Sequence, residues 1–163
     1  MSNHKSTKRG GAFLQKQNTL VWFYLCNLFL PLVLGFIIYL GFRPDTYVSS
    51  YFCIITGWTP VLWYSDSSVF QWVFVFLRNY SCDILWAYSL PIALWIFHNH
   101  TYSSLFLIGI ESIAFEILIE FLQYKTIISG TFDLWDIILE GTGSIAAILM
   151  VLFRFRKFVI SNL

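Results

Sequence analysis

Two short stretches of this chain place carboxylates where they could act together. In "ESIAFEILIEFLQ", Glu116 and Glu120 stand four residues apart, so on a helix they share one face with Gln123, while Ser112 lies a turn deeper on nearly the same stripe. Glu111 falls on the opposite face. In "FDLWDIILEGTG", Asp133, Asp136, Glu140 and Gly143 are spaced three, four and three apart and form a second stripe. Asp83, in "NYSCDILWAYSL", is expected at the same level. Such groups could accept hydrogen bonds from hydroxyls or ammonium ions, relay protons, or serve as a general acid and base. The nearby cations are only Arg43, Arg78 and Lys125, fewer than the six acids they face, so the surplus carboxylates must be protonated, hydrated or bound to something positive or rich in hydroxyls.

The elements that carry these residues belong to a membrane protein. The chain has 163 residues, of which 58% are hydrophobic and 12% charged, and a mean hydropathy of +0.69, a composition that excludes an ordinary soluble domain. Asn18 to Phe42 holds no charged residue and exceeds the roughly 20 residues needed to cross about 30 Å of hydrocarbon. It is read as a retained signal anchor, too long for the apolar core of a cleaved signal peptide, with Pro31 as a kink. Further spans are predicted at about 83–97, 104–123 and 136–153. A charge on a central membrane residue costs about 2.5–3.5 kcal/mol. By helical rise Glu116 would lie about 10 Å, and Glu111 about 18 Å, inside the boundary marked by Gln123.

Seven of the ten basic residues flank the first and last apolar runs, in a tail of residues 1–17 and in "RFRK" before a short tail at 158–163. Four spans put both groups on one side, which the positive-inside rule makes cytoplasmic. The expected fold is therefore all-α: an integral membrane four-helix bundle with both termini cytoplasmic. Residues 46–77 are expected to form an aromatic-rich outer-face segment, with Trp58, Trp63, Tyr64 and Trp72 at the interface and a short helix lying in the headgroup layer. Two extra spans there would also satisfy the charge rule, but the second would be too short. Cys26, Cys53 and Cys82 are read as small apolar residues, with a Cys53–Cys82 disulfide as the alternative. No metal-binding spacing, phosphate loop, dinucleotide turn or nucleophile elbow occurs, so neither a metal nor a cofactor is expected. The basic first tail suits anionic lipid rather than nucleic acid.

"EFLQ" followed after about ten residues by "FDLWDIILEGTG" resembles the C-terminal signature of the VanZ-like membrane proteins, and "NYSCDILWAYSLPIAL" resembles that family's Asp-x-x-Trp-Ala helix opening. The likeness covers roughly residues 79–150. It implies site positions at Asp83, Trp86, Glu120, Gln123, Asp133, Asp136 and Gly143. Glu140 stands where that family usually has Asn, and the Arg often found before the Asp is replaced within "SGTFD". A ligand here would accordingly be more cationic or more hydroxylated. The resemblance implies a bacterial cell-envelope protein linked to glycopeptide antibiotic resistance.

The expected site comprises Asp83, Trp86, Glu116, Glu120, Gln123, Asp133, Asp136 and Glu140, with Gly141 and Gly143 allowing close helix packing. The bland counterpart is that these acids merely cross-link helices. Three functions follow in order: a non-enzymatic envelope protein whose outer-leaflet acidic pocket binds a lipid headgroup, glycan or amphiphilic antibiotic; a proton- or cation-coupled carrier; and, lowest, an intramembrane enzyme acting on a lipid-linked substrate. Its partners would be membrane lipid and an envelope glycolipid or amphiphilic antibiotic, with a homo-oligomer left open and no nucleic acid.

Overall fold

The computed structural model describes residues 18–43, 46–57, 68–99, 101–128 and 132–160, and every element among them is helical. Helix α1 is Asn18–Phe42, α2 is Tyr47–Thr56, α4 is Tyr102–Tyr124 and α5 is Leu134–Ile160. Helix α3 is built from Ser68–Phe76, a wider π turn at Leu77–Ser81 and Cys82–Phe97, which run on without a break. Three helices, over Asn18–Phe42, Phe70–Phe97 and Leu134–Arg156, are long and apolar enough to cross a membrane.

The second apolar helix thus begins well before the expected 83. "VFQWVFVFL" holds no glycine or proline to stop a helix, so α3 continues from Ser68 and Asp83 lies in mid-helix instead of at a helix start. The segment 46–77 is divided between α2 and the first turns of α3. With 10 residues, α2 extends only about 15 Å and cannot cross alone. Thr46 opens it, its hydroxyl accepting the Ser49 N–H at 3.4 Å, and Gly57 closes it at φ +67°, a left-handed position that glycine takes without penalty. Trp58, Trp63, Tyr64, His100 and the tail 1–17 lie outside the described residues. Cys26, Cys53 and Cys82 are free thiols, so the disulfide alternative falls.

Both prolines inside the apolar helices are accommodated by the backbone or by neighbours. Pro31 has no N–H, and the turn before it widens into a π turn at Leu25–Phe29 closed by Leu30 N–H on Leu25 O. The Ser89 hydroxyl reaches across to Leu28 O at 3.4 Å. Pro91 likewise withholds the bond that Ala87 O would have received, and the Ser144 hydroxyl of α5 donates to that carbonyl at 3.0 Å.

The helices alternate in direction. Phe155 near the end of α5 stacks edge-on with Phe23 near the start of α1, ring centroids 5.2 Å apart, and lies 5.8 Å from Trp95 near the end of α3. This end of the bundle, where α1 begins and α3 and α5 end, is packed with Phe23, Ile92, Trp95, Leu105, Ile108, Ala147 and Val151. The most extensive helix pair is α3 with α5, and Gly143 explains the closeness: a Cβ there would meet Ile84 O at 2.9 Å. Gly141 has open space around it, so the expectation that both glycines serve packing holds for Gly143 alone. The exposed face is apolar, with Trp22, Phe29, Phe106, Phe121, Leu149 and Phe153 all outward, as lipid contact requires.

Candidate functional site

At the end of the bundle remote from the tails, α3, α4 and α5 diverge around a cavity of about 650 Å³. Asp83, Trp86, Glu116, Glu120, Gln123, Asp136 and Glu140 all line it, so seven of the eight expected site residues meet there. The helical stripes explain this: Glu116 and Glu120 come from one face of α4, and Asp136 and Glu140 from one face of α5. Asp83 and Trp86 come from α3, between them. Apolar walls are supplied by Leu90, Phe115 and Ile119, and Arg43, Arg78, Thr46 and Asn79 complete the rim.

Arg43 is the organiser of that rim. Its guanidinium donates to Arg78 O at 3.0 Å and Asn79 O at 2.8 Å and pairs with Asp83 at 3.4 Å, tying the end of α1 to the π turn of α3. The widened turn matters because it leaves carbonyls turned outward to receive these bonds. The Arg43 carbonyl in turn accepts the hydroxyls of Thr46 and Ser49, at 3.0 and 2.8 Å. Arg43 is therefore held by structure on three sides, and Asp83 is the carboxylate it pairs with directly.

Asp133 departs from expectation. It does not line the cavity; it caps α5, with Oδ1 accepting the Trp135 N–H at 2.9 Å, while the Tyr80 hydroxyl donates to Oδ2 at 3.5 Å. Its own N–H donates to Glu120 Oε2 at 3.1 Å, so Asp133 holds the start of α5 against α4 and orients a cavity carboxylate. The reason is local: Asp immediately before the first helical turn is a better cap than ligand.

Glu116 occupies the floor. It is 4% exposed, its Oε1 contacts the Ser144 hydroxyl, and its Oε2 has no hydrogen-bond partner. Ser144 touches both Glu116 and Ala87 O, yet a hydroxyl owns a single proton and a carbonyl can only accept. The two acceptors, Glu116 Oε1 and Ala87 O, therefore share that one donor. Glu116 Oε2 is a buried acceptor without a hydrogen-bond partner, on a side chain that lines the cavity. Above it, the carboxylates of Asp136 and Glu140 have neither a hydrogen bond nor an ion pair among the described residues. Five carboxyl groups thus share the cavity with two guanidiniums. Lys125, the third expected cation, sits over the rings of Phe121 and Tyr124 instead, 5.7 and 5.4 Å from their centroids.

Glu111 is a separate matter. Its Oε2 lies 3.4 Å from His98 Nε2, at the turn between α3 and α4. His98 Nδ1 faces Leu94 O at 3.1 Å and must carry the proton of that contact.

Sequence reasoning had named Arg43 and Arg78 only as cations and had missed Ser144 and Tyr80. A signal for Ser144 existed in Pro91, which announces an unpaired carbonyl at Ala87; its donor could be found only in three dimensions. No group of three or more His, Cys, Asp or Glu side chains suited to a metal ion occurs among the described residues. Comparison with protein-family models, with curated proteins and with solved structures finds no match to this chain.

Proposed function

We propose that this chain is a multi-pass cell-membrane protein, divergent from the VanZ-like group, that binds a ligand without catalysis in an acidic pocket opening toward the outer leaflet. The ligand class is a lipid headgroup, a glycan or an amphiphilic antibiotic, and the physiological setting is envelope resistance to such antibiotics. In this reading α4 is the fourth span. Its 23 residues extend about 34 Å, and apart from its glutamates its outward residues, among them Phe106, Ile110, Ile117 and Phe121, are apolar. Four spans leave Arg154 and Arg156 on the same side as the basic first tail, hence cytoplasmic, and the cavity outside.

The observation that carries the proposal is Glu116 Oε2: a buried carboxyl oxygen without a partner, on a side chain that lines a cavity of about 650 Å³. Buried polar atoms are nearly always satisfied, and an exception inside a membrane protein points to a partner supplied from outside. Binding is favoured over transport because the apolar layer of Ile92, Trp95, Ile108, Ala147 and Val151 closes the bundle below the cavity.

The test is a pair of substitutions at residues with no structural bond, Asp136→Asn and Glu140→Gln. In cells producing normal amounts of the protein, the double variant should lose protection against amphiphilic antibiotics while its thermal unfolding in detergent is retained. Unchanged sensitivity in a protein whose wild type protects would refute the proposal.

A further inference from the structure

The acidic cavity does not end in solvent on every side. Trp86 and Leu90 line it and also line a second, apolar depression of about 70 Å³ between α1 and α3, walled by Leu28, Leu32 and Ala93. The one hydroxyl there, on Ser89, is already given to Leu85 O at 2.9 Å and to Leu28 O at 3.4 Å, so the groove offers nothing polar to an occupant. Ala93 and Trp86 are seven residues apart on α3, which places the two ends of this surface about 10 Å apart along the helix. Continuing along α3 toward the rim come Asp83 and then Arg78.

Along α3 the apolar groove therefore adjoins the acidic part of the cavity, where Arg43 pairs with Asp83. We propose that groove and cavity are one site for an amphiphile whose ammonium group adjoins its apolar chain, the ammonium resting among Glu116, Asp136 and Glu140 and the first part of the chain lying along Leu28, Leu32 and Ala93. This rests on the reading of the cavity as a binding site and adds the chemistry and orientation of the ligand. Three features select it. Glu116 lines the cavity and its buried Oε2 has no hydrogen-bond partner, which favours an occupant that donates over one that only accepts. Among the described residues neither Asp136 nor Glu140 forms an ion pair, which favours a cationic donor over a neutral hydroxyl. Trp86, 54% exposed, lines both surfaces, and an indole there can contribute a cation–π contact. A phosphodiester placed between chain and ammonium would fall among five carboxyl groups that outnumber the two guanidiniums of the cavity and be repelled.

The full chain is purified in a neutral polyoxyethylene detergent, and binding is followed by native mass spectrometry with four ligands: hexadecylammonium, hexadecyl glucoside, palmitoyl lysophosphatidylethanolamine and butylammonium. Hexadecylammonium should bind at least about tenfold more tightly than any of the others, equivalent to about 1.4 kcal/mol. Ala93→Phe, which fills the groove, should weaken hexadecylammonium about tenfold and leave butylammonium unchanged; should that variant fail to fold, the hexadecyl-to-butyl ratio in the wild type decides the same point. Equal or better binding of the glucoside would overturn the ammonium assignment while leaving a binding pocket standing. Preference for the lysophospholipid would overturn the orientation. If no ligand binds the wild type better than it binds Asp136→Asn/Glu140→Gln, both this inference and the pocket reading fall.

Discussion

Replacing Ser144 by Ala should expose the contact by which α5 reaches both the kinked helix and the cavity floor. The substitution removes one hydroxyl and adds no bulk, so its cost comes from what that hydroxyl served. Ala87 O loses its donor, because Pro91 cannot supply the usual N–H, and Glu116 Oε1 loses its neighbour. Leaving a buried acceptor unsatisfied costs about 1–3 kcal/mol, and hydrogen bonds between membrane helices average about 0.6 with a maximum near 1.7 kcal/mol. A loss of about 1–3 kcal/mol for Ser144→Ala is therefore expected. The mechanism is isolated by Pro91→Ala, which restores an N–H four residues after Ala87. In that background Ser144→Ala should cost less by about 0.6–1.7 kcal/mol, since the carbonyl no longer depends on the hydroxyl. Pro91 is itself fully buried, so the comparison is made within the four-member cycle and not against wild type alone. Reversible unfolding of the four proteins in mixed micelles supplies the numbers. Strictly additive effects would show that Ala87 O is satisfied in some other way and would refute the account of the proline.

Two further predictions concern the frame of the site. Gly143→Ala should destabilise by about 1–3 kcal/mol, because its Cβ would meet the Ile84 carbonyl at 2.9 Å and backbone cannot rotate aside, whereas Gly141→Ala, with open space, should be neutral or stabilise by up to about 1 kcal/mol; the same unfolding assay compares them, and equal losses would contradict the packing described. Asp133→Ala should cost about 0.5–2 kcal/mol through loss of the α5 cap, while Asp133→Asn should be nearly neutral, as Asn caps equally well; a loss with Asn as large as with Ala, measured by thermal unfolding, would mean that the charge and not the cap is what matters.

Much of the site was legible because helical periodicity is a local property. Once Glu116 and Glu120, and separately Asp136 and Glu140, were placed on helices, spacing alone put each pair on one face. The long uncharged run at Asn18–Phe42 and the glycine at 143 were equally plain. The limits of α3 were not, since "VFQWVFVFL" is too short to read as a span by itself and its union with the helix after it depends on a π turn that no periodicity announces. Asp133 carried the signature of a helix cap, a polar residue immediately before an apolar helix, but its place in a stripe of acids suggested a ligand. Arg43 and Ser144 were opaque for another reason. Their roles are defined by partners 35 to 40 and 57 residues away in Arg43 and Ser144 respectively, and local pattern holds no trace of such pairings.

By itself the sequence determined that apolar helices carry this chain's bulk, that acids recur on particular faces, and that positive charge gathers at the tails. These follow from composition and from a repeat of about 3.6 residues per turn, which each helix obeys on its own. Only the tertiary structure decided that the acidic faces open on one cavity, that Arg43 is spent on two carbonyls and Asp83, and that Glu116 ends with one oxygen unfilled. Those outcomes depend on how closely α3 and α5 approach at Gly143 and on which hydroxyl meets the carbonyl that Pro91 leaves open. They are properties of distances between helices, and such distances are set by packing among residues that the chain itself holds far apart.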